Sequence, residues 1–202
     1  MTADIGNNIV TEYCRQHYEL AGIRPDSGCT LRIIMGKMPY RNHYEEARWH
    51  NIIAFARFGT SGTGNLSQGG VGVGFDCETG KCKDFGRRYR NFSEGGQQFC
   101  TAHPDTGVAR KDLTLPNWAY VRDAVDRVCR QICSPDYTGL DVIITEDGMK
   151  ICGINPHPAI DNNRLLCAPV LADPRAKEFF DHYGLDKVDT EQFYSTYARC
   201  LI

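Results

Sequence analysis

Three segments of the chain carry apolar and β-branched residues between turn-forming residues, which is the pattern of β-strands. They are CTLRIIMG at 29–36, NIIAFARFG at 51–59 and GGVGVGF at 69–75. The third segment has glycine at alternate positions, where a backbone or a ligand can approach the strand closely. These segments predict a sheet, and the residues that follow, to about Leu115, predict a loop-rich region.

Helical periodicity is clearest after Pro116, which favours a helix start. Apolar residues recur there at spacings of three and four, namely Trp118, Val121, Val125, Val128 and Ile132. Ser134 and Pro135 end the pattern. Segment Ile9–Leu20 predicts a strand end that enters a short helix, and residues 174–183 and 190–200 predict two further short helices.

A β-hairpin is predicted over Gly139–Pro158, where DVIIT and MKICGIN flank the turn residues EDG. A three-residue turn with Gly148 at positive φ fits these residues. With that turn, Asp141 lies opposite Gly153, and Asn155 is on the same face of the hairpin. Because a slip of one residue would send the two polar side chains to opposite faces, their shared site is predicted to depend on a three-residue turn.

The composition is that of an ordinary globular protein. The chain has 202 residues, 42% of them hydrophobic and 24% charged, and a net charge of −2 that gives no reason to expect a nucleic-acid partner. It has no apolar run for a membrane span, and its start, MTADIGNN, does not resemble a signal peptide. We therefore predict one cytoplasmic domain over residues 1–202, with its ten scattered cysteines as reduced packing thiols.

The hairpin and the strands carry side chains suited to a polar site. The carboxylate of Asp141 and the amide oxygen of Asn155 are hard ligands of the kind that Mg²⁺ prefers, although a solvated hairpin face is the alternative. Arg32 and Arg57 each lie within an otherwise apolar strand, where a buried guanidinium needs an anion. That anion is either a ligand or the partner in a salt bridge.

The stretch TGLDVIITEDGMKICGINPHP resembles the metal-binding hairpin of ATP-grasp enzymes. Upstream, IVTEYCRQHYEL, SGCTLRI, FARFGTSGTGNLSQGGVGVGFDCETG and HPDTG resemble, in that order, segments of the sugar-transfer associated branch, which is related to carboxylate–amine ligases. The resemblance covers residues 9 to about 160. It implies an α+β fold, namely the C-terminal part of an ATP-grasp fold with a mainly antiparallel sheet packed against helices. Residues 161–202 would then form a helical extension.

The resemblance also implies roles for residues around the nucleotide. Glu12 would lie at the hinge that contacts the adenosine, and Glu19 would contact the ribose. Asn65, Gly69 and Gly70 would line the phosphate or acceptor side of the site. ATP is thus an expected cofactor.

For the chemistry, the same resemblance implies that Arg32 and Arg57 are catalytic arginines facing phosphates and that Asp141 and Asn155 hold Mg²⁺. The expected reaction joins a small-molecule carboxylate to an amine or another nucleophile through an acyl phosphate, in cell-surface sugar or peptide modification. The arginines and the metal would stabilise the charge that develops during phosphoryl transfer.

The sequence departs from the family pattern at several points. Gly153 stands where the family has a bridging Glu, and Cys29 replaces the usual Asn before Thr-x-Arg. Asp161 is a candidate to replace the lost carboxylate. Met1 falls only a few residues before the implied hinge, so we expect either a partner chain that supplies the N-terminal lobe or a non-catalytic remnant of the fold.

Two other interpretations of the middle of the chain are open. Cys77-x4-Cys82 and Cys100-x2-His103 offer four soft ligands for a zinc-binding module. The basic stretch Lys81–Arg90, with interleaved aromatic residues, predicts either a nucleic-acid or phosphate patch or, more commonly, a solvated loop.

Overall fold

A computed structural model describes most of the chain between residues 13 and 184. The described residues are 13–38, 48–60, 66, 69–82, 86–89, 97–109, 112–132, 135–158 and 173–184. Their strands are β1 Thr30–Met38, β2 Arg48–Phe58, β3 Val71–Phe75, β4 Gly86–Tyr89, β5 Gln97–Cys100, β6 Tyr137–Thr145 and β7 Gly148–Asn155. Their helices are α1 Tyr18–Ala21, α2 Trp118–Gln131 and α3 Pro174–His182.

The strands form one sheet in the order β5-β4-β3-β2-β1-β6-β7. Every pair of neighbouring strands in it is antiparallel. The predicted α+β fold with a mainly antiparallel sheet is therefore confirmed. The strands predicted at 29–36, 51–59 and 69–75 correspond to β1, β2 and β3.

Each face of the sheet packs against one of the longer helices. Helix α2 presents Val121 and Val125 to the larger core, which includes Leu31, Ile33 and Val142. Helix α3 covers part of the other face and packs on β1 and β2 in a second hydrophobic cluster, whose members include Ile34, Ile53, Phe55, Phe179 and Phe180. Because side chains alternate along a strand, odd and even positions of β1 enter different cores.

Local sequence explains where α3 begins and why it sits close to β1. The Asp173 side chain accepts a hydrogen bond from the backbone N–H of Arg175 at 3.0 Å, and Pro174 occupies the first turn. A Cβ built on Gly36 would lie 2.6 Å from the ring of Phe179, so only glycine allows this approach. The helix predicted at 174–183 is thereby confirmed, whereas that predicted at 190–200 lies outside the described residues.

Two short strands were not predicted. Strands β4 and β5 lie in the region that the sequence predicts as loop-rich, and each has only 4 residues.

The helices of the described residues include none with the length and apolar character of a membrane span. Among the described cysteines, Cys29 and Cys129 are buried in the core and Cys152 is exposed at the surface.

Candidate functional site

The turn of the β6–β7 hairpin differs from the prediction. Thr145 pairs with Gly148, so the connection has two residues, Glu146 and Asp147, and the three-residue turn is wrong. Gly148 has φ +146°, which confirms the positive φ expected of it. Taken alone, the shorter turn would shift β7 by one residue relative to β6 and separate the two polar side chains.

A β-bulge restores the predicted register. Val142 pairs with Ile151 while Asp141 pairs with Gly153, so Cys152 is an extra residue on β7. A bulge adds one residue to one strand and therefore cancels the one-residue difference at the turn. Asp141 lies opposite Gly153 as predicted, and Asn155, paired with Gly139, lies on the same face.

Three charged side chains meet on this face, at the centre of the sheet. Arg32 pairs across the strands with Asp141, and its Nε and Nη2 donate to Asp141 Oδ1 and Oδ2 at 2.6 and 3.0 Å. Arg57 Nη2 donates to the same Oδ1 at 2.6 Å. One carboxylate thus joins two guanidiniums, and the three groups, hereafter the Arg–Asp–Arg cluster, carry a net charge of +1.

The cluster is partly shielded from solvent. The side chains of Arg32, Arg57 and Asp141 are 15%, 18% and 24% exposed, so the ion pairs are stronger than surface pairs but can still be reached by a ligand. Burial lowers the pKa of the Arg57 guanidinium below its usual value; Asp141 opposes this shift, and the like charge of Arg32 adds to it. Both arginines have a salt-bridge partner, which was one of the two alternatives predicted.

Glycines leave the sheet open beside the cluster. Gly72 of β3 pairs with Arg57, and Gly153 of β7 pairs with Asp141. Gly139 is instead covered, since a Cβ built on it would lie 2.8 Å from Pro158 and 3.4 Å from Arg32 Cδ. Gly72 and Gly153 therefore place no side chain beside the charged groups, whereas Pro158 packs on Gly139.

One member of this face was not predicted. Tyr137 lies two residues before Gly139 and four before Asp141, so strand alternation places it on their face. Its hydroxyl is buried and has no hydrogen-bond partner among the described residues. Burial raises the pKa of Tyr137, and the Arg32 guanidinium opposes that shift. The period-two pattern could have identified this residue once the register of Asp141 was fixed.

The remaining predicted residues are less directly connected to the cluster. Asn155 Oδ1 accepts from the backbone N–H of His157 at 2.9 Å and so already stabilises the turn after β7. Gly69, with φ +107°, accepts hydrogen bonds at its carbonyl from Thr60 and Arg88 just before β3, and Gly70 is buried beside it.

Other predicted positions lie near α1 or outside the described residues. Glu19 belongs to α1, whose first residue donates its backbone N–H to Glu146 at the turn end of the hairpin. No hydrogen bond or ion pair joins Glu19 to the cluster within the part of the chain that is described. Glu12, Asn65 and Asp161 lie outside that part.

The zinc-binding alternative finds no support. His103 is buried, with Nε2 2.8 Å from the carbonyl oxygen of Gly59 and Nδ1 accepting from the backbone N–H of Asp105. Both ring nitrogens are therefore engaged, Nε2 with the residue that follows β2 and Nδ1 within the HPDTG turn itself. Among the described residues, no group of three or more His, Cys, Asp or Glu side chains is arranged to hold a metal ion.

A comparison with protein families identifies the family of this chain. The family model of the sugar-transfer associated ATP-grasp proteins matches residues 3–165. The chain belongs to this ATP-grasp family. Neither the curated proteins nor the solved structures include a significant match. Membership carries with it ATP as the nucleotide and a divalent metal as the general companion of ATP-grasp chemistry.

In this ATP-grasp chain, the donor set does not fit a metal ion as it stands. Asp141 uses both carboxylate oxygens in three hydrogen bonds to guanidiniums, and Gly153 offers no side chain. A divalent cation prefers several oxygen ligands that are free of nearby positive charge. The arrangement fits an anion instead, because two guanidiniums donate to one carboxylate and leave a net positive charge.

Proposed function

We propose that the Arg–Asp–Arg cluster is the phosphate-binding centre of an ATP-dependent carboxylate ligase of the ATP-grasp family. The observation that supports the proposal is the convergence of Arg32 and Arg57 on the carboxylate of Asp141. Gly72, which pairs with Arg57 on the neighbouring strand, adds no side chain beside them. Planar guanidiniums bind phosphate oxygens in the same paired geometry in which Arg32 binds Asp141. The arginines would hold the transferred phosphate and stabilise the charge that develops on it.

The substrates in this proposal are a small-molecule carboxylate and an amine or another nucleophile, in cell-surface sugar or peptide modification. Mg²⁺ would accompany the phosphates of ATP and lower the charge on them. Its predicted ligands, Asp141 and Asn155, and the predicted partner chain with an N-terminal lobe stay predictions.

Titration calorimetry with ATP, with and without Mg²⁺, tests the nucleotide site. We expect Arg57→Gln to weaken ATP binding by about 10- to 100-fold, since a charged hydrogen bond contributes roughly 1.5–3 kcal/mol. Arg127→Gln is the matched control, because Arg127 is exposed on α2, on the other side of the sheet. Absence of ATP binding, or equal affinities in the two variants, would contradict the proposal.

A non-catalytic remnant of the ATP-grasp fold is the second candidate. Gly153, in place of a carboxylate beside Asp141, favours it. The remnant predicts no Mg²⁺-dependent ATP binding, whereas the ligase predicts such binding and formation of ADP when a carboxylate and an amine are supplied. Measuring ADP over a panel of both substrate classes separates the two candidates.

A further inference from the structure

The Asp141 carboxylate is held as a bound anionic ligand would be. Arg32 contacts both of its oxygens through two neighbouring nitrogens, at 2.6 and 3.0 Å, and Arg57 contacts one of them at 2.6 Å. Arginine binds carboxylates and phosphates in this two-pronged arrangement. The place of an oxyanion is therefore already filled, by a group of the chain itself.

The surroundings supply more donors than this carboxylate satisfies. Arg57 Nε belongs to a guanidinium that contacts Asp141, yet it is buried and has no hydrogen-bond partner within the described residues. Buried donors without acceptors are unfavourable, and an oxyanion with more oxygens than a carboxylate would satisfy more of them.

Gly153 leaves space into which the carboxylate can move. If a Cβ is built on Gly153, the heavy atoms of the described residues found within 4 Å of it belong to Asp141, with Oδ2 at 3.6 Å. A larger residue at this position would fill the volume beside the carboxylate. The glycine therefore permits a rotation of Asp141 away from the guanidiniums without a backbone shift.

We propose that Asp141 is an internal competitor for phosphate: a phosphate group binds Arg32 and Arg57 by displacing the Asp141 carboxylate. This inference rests on the proposed function, because it concerns the same two arginines. The competitor role and a metal-ligand role of Asp141 predict opposite effects on binding when its charge is removed. Removing the charge of Asp141 strengthens phosphate binding if Asp141 competes, and weakens metal-assisted binding if Asp141 holds the metal.

The test is titration of inorganic phosphate, without metal and at low ionic strength, into the wild-type protein and Asp141→Asn. We expect the variant to bind phosphate at least about tenfold more tightly, because the charge of the cluster rises from +1 to +2. Asp147→Asn makes the same charge change at the exposed turn of the same hairpin, and we expect it to stay within about twofold of wild type. Equal or weaker binding by Asp141→Asn, or no phosphate binding by either protein, overturns the proposal.

A second measurement needs no variant, since removing Asp141 leaves two partly buried arginines unpaired and can unfold the protein. The Nε–H resonances of Arg32 and Arg57 are followed by NMR in the wild-type protein while phosphate, and separately MgCl₂, is added. Phosphate alone is expected to shift them and MgCl₂ alone to leave them in place. The opposite pattern, or no shift with phosphate, would make Asp141 a metal ligand or a purely structural partner.

The two proposals fail in different ways. If ATP binding depends on Arg57 but Asp141→Asn leaves the phosphate affinity unchanged, the competitor role is refuted and the proposed nucleotide site stands. Phosphate binding that Asp141→Asn strengthens, in a protein that does not bind ATP, would instead leave an oxyanion site and remove the ligase.

Discussion

His50, on β2, is a residue whose protonation state the fold restricts. Its Nε2 is buried and has no hydrogen-bond partner within the described residues. Burial lowers the pKa of His50 below its usual value of 6.5, and the carboxylate of Glu178 opposes this shift. Arg48 and Arg175 lower it further, and Asp126 has a small opposing effect. The folded protein therefore favours the neutral imidazole.

Stability should consequently fall when the solution is made mildly acidic. Unfolded His50 takes up a proton near pH 6.5 and folded His50 at a lower pH, so its contribution is fully present above about pH 6.5 and is lost below it. Urea unfolding should show a smaller loss of free energy between about pH 7 and pH 5 in His50→Gln than in wild type. His157→Gln, at an exposed position, serves as control and should keep the wild-type slope. Equal slopes in His50→Gln and wild type would refute this role of His50.

At the scale of elements, the sequence predicted the hairpin and the pairing of Asp141 with Gly153, but for a wrong reason. The predicted turn was one residue too long, and the bulge at Cys152 makes up the difference. Local sequence identifies a turn through residues such as Gly148, whereas a bulge depends on packing of the whole strand against its neighbour. The pairing of Asp141 with Gly153 was predictable because the two deviations cancel.

Other features of the site were beyond local patterns for identifiable reasons. Strands β4 and β5 have 4 residues each, too few to show alternation above the background of a loop. Sequence showed that Arg32 and Arg57 need an anion, but the choice of Asp141 as that anion required the order of β2, β1 and β6 in the sheet. Long-range pairings of this kind are not encoded in any single segment.

Two glycines of the hairpin should respond differently to the same substitution. Gly148 has φ +146°, and its Cβ would lie 3.1 Å from Tyr120, so Gly148→Ala should lower the free energy of unfolding by about 1–3 kcal/mol. Gly153→Ala should change it by no more than about 0.5 kcal/mol, because the Cβ would make only ordinary contact with Asp141. Denaturant unfolding of the pair measures both effects. Equal losses in the two variants would mean that the hairpin backbone differs from the one described.

At the scale of the whole molecule, Glu78 joins helices that pack on opposite faces of the sheet. Its Oε1 accepts from Arg122 of α2 at 2.6 Å, and its Oε2 pairs with Arg175 of α3. The hydrogen bond from Arg122 is the main reason that the pKa of Glu78 lies below its usual value. This connection joins the two helical layers directly, in addition to their separate hydrophobic cores.

Replacing Glu78 by Gln should therefore loosen the contact between layers, but only modestly. The side chain is 59% exposed, so solvent screening limits the loss to about 1 kcal/mol or less. Urea unfolding should show this loss at low ionic strength and little of it in about 1 M salt, where the Debye length is near 3 Å. Asp181→Asn removes a pair with Lys177 inside α3 alone and should change stability by no more than about 0.5 kcal/mol. A loss in Glu78→Gln that salt does not reduce would show that packing or hydrogen bonding, and not charge, joins the two helices there.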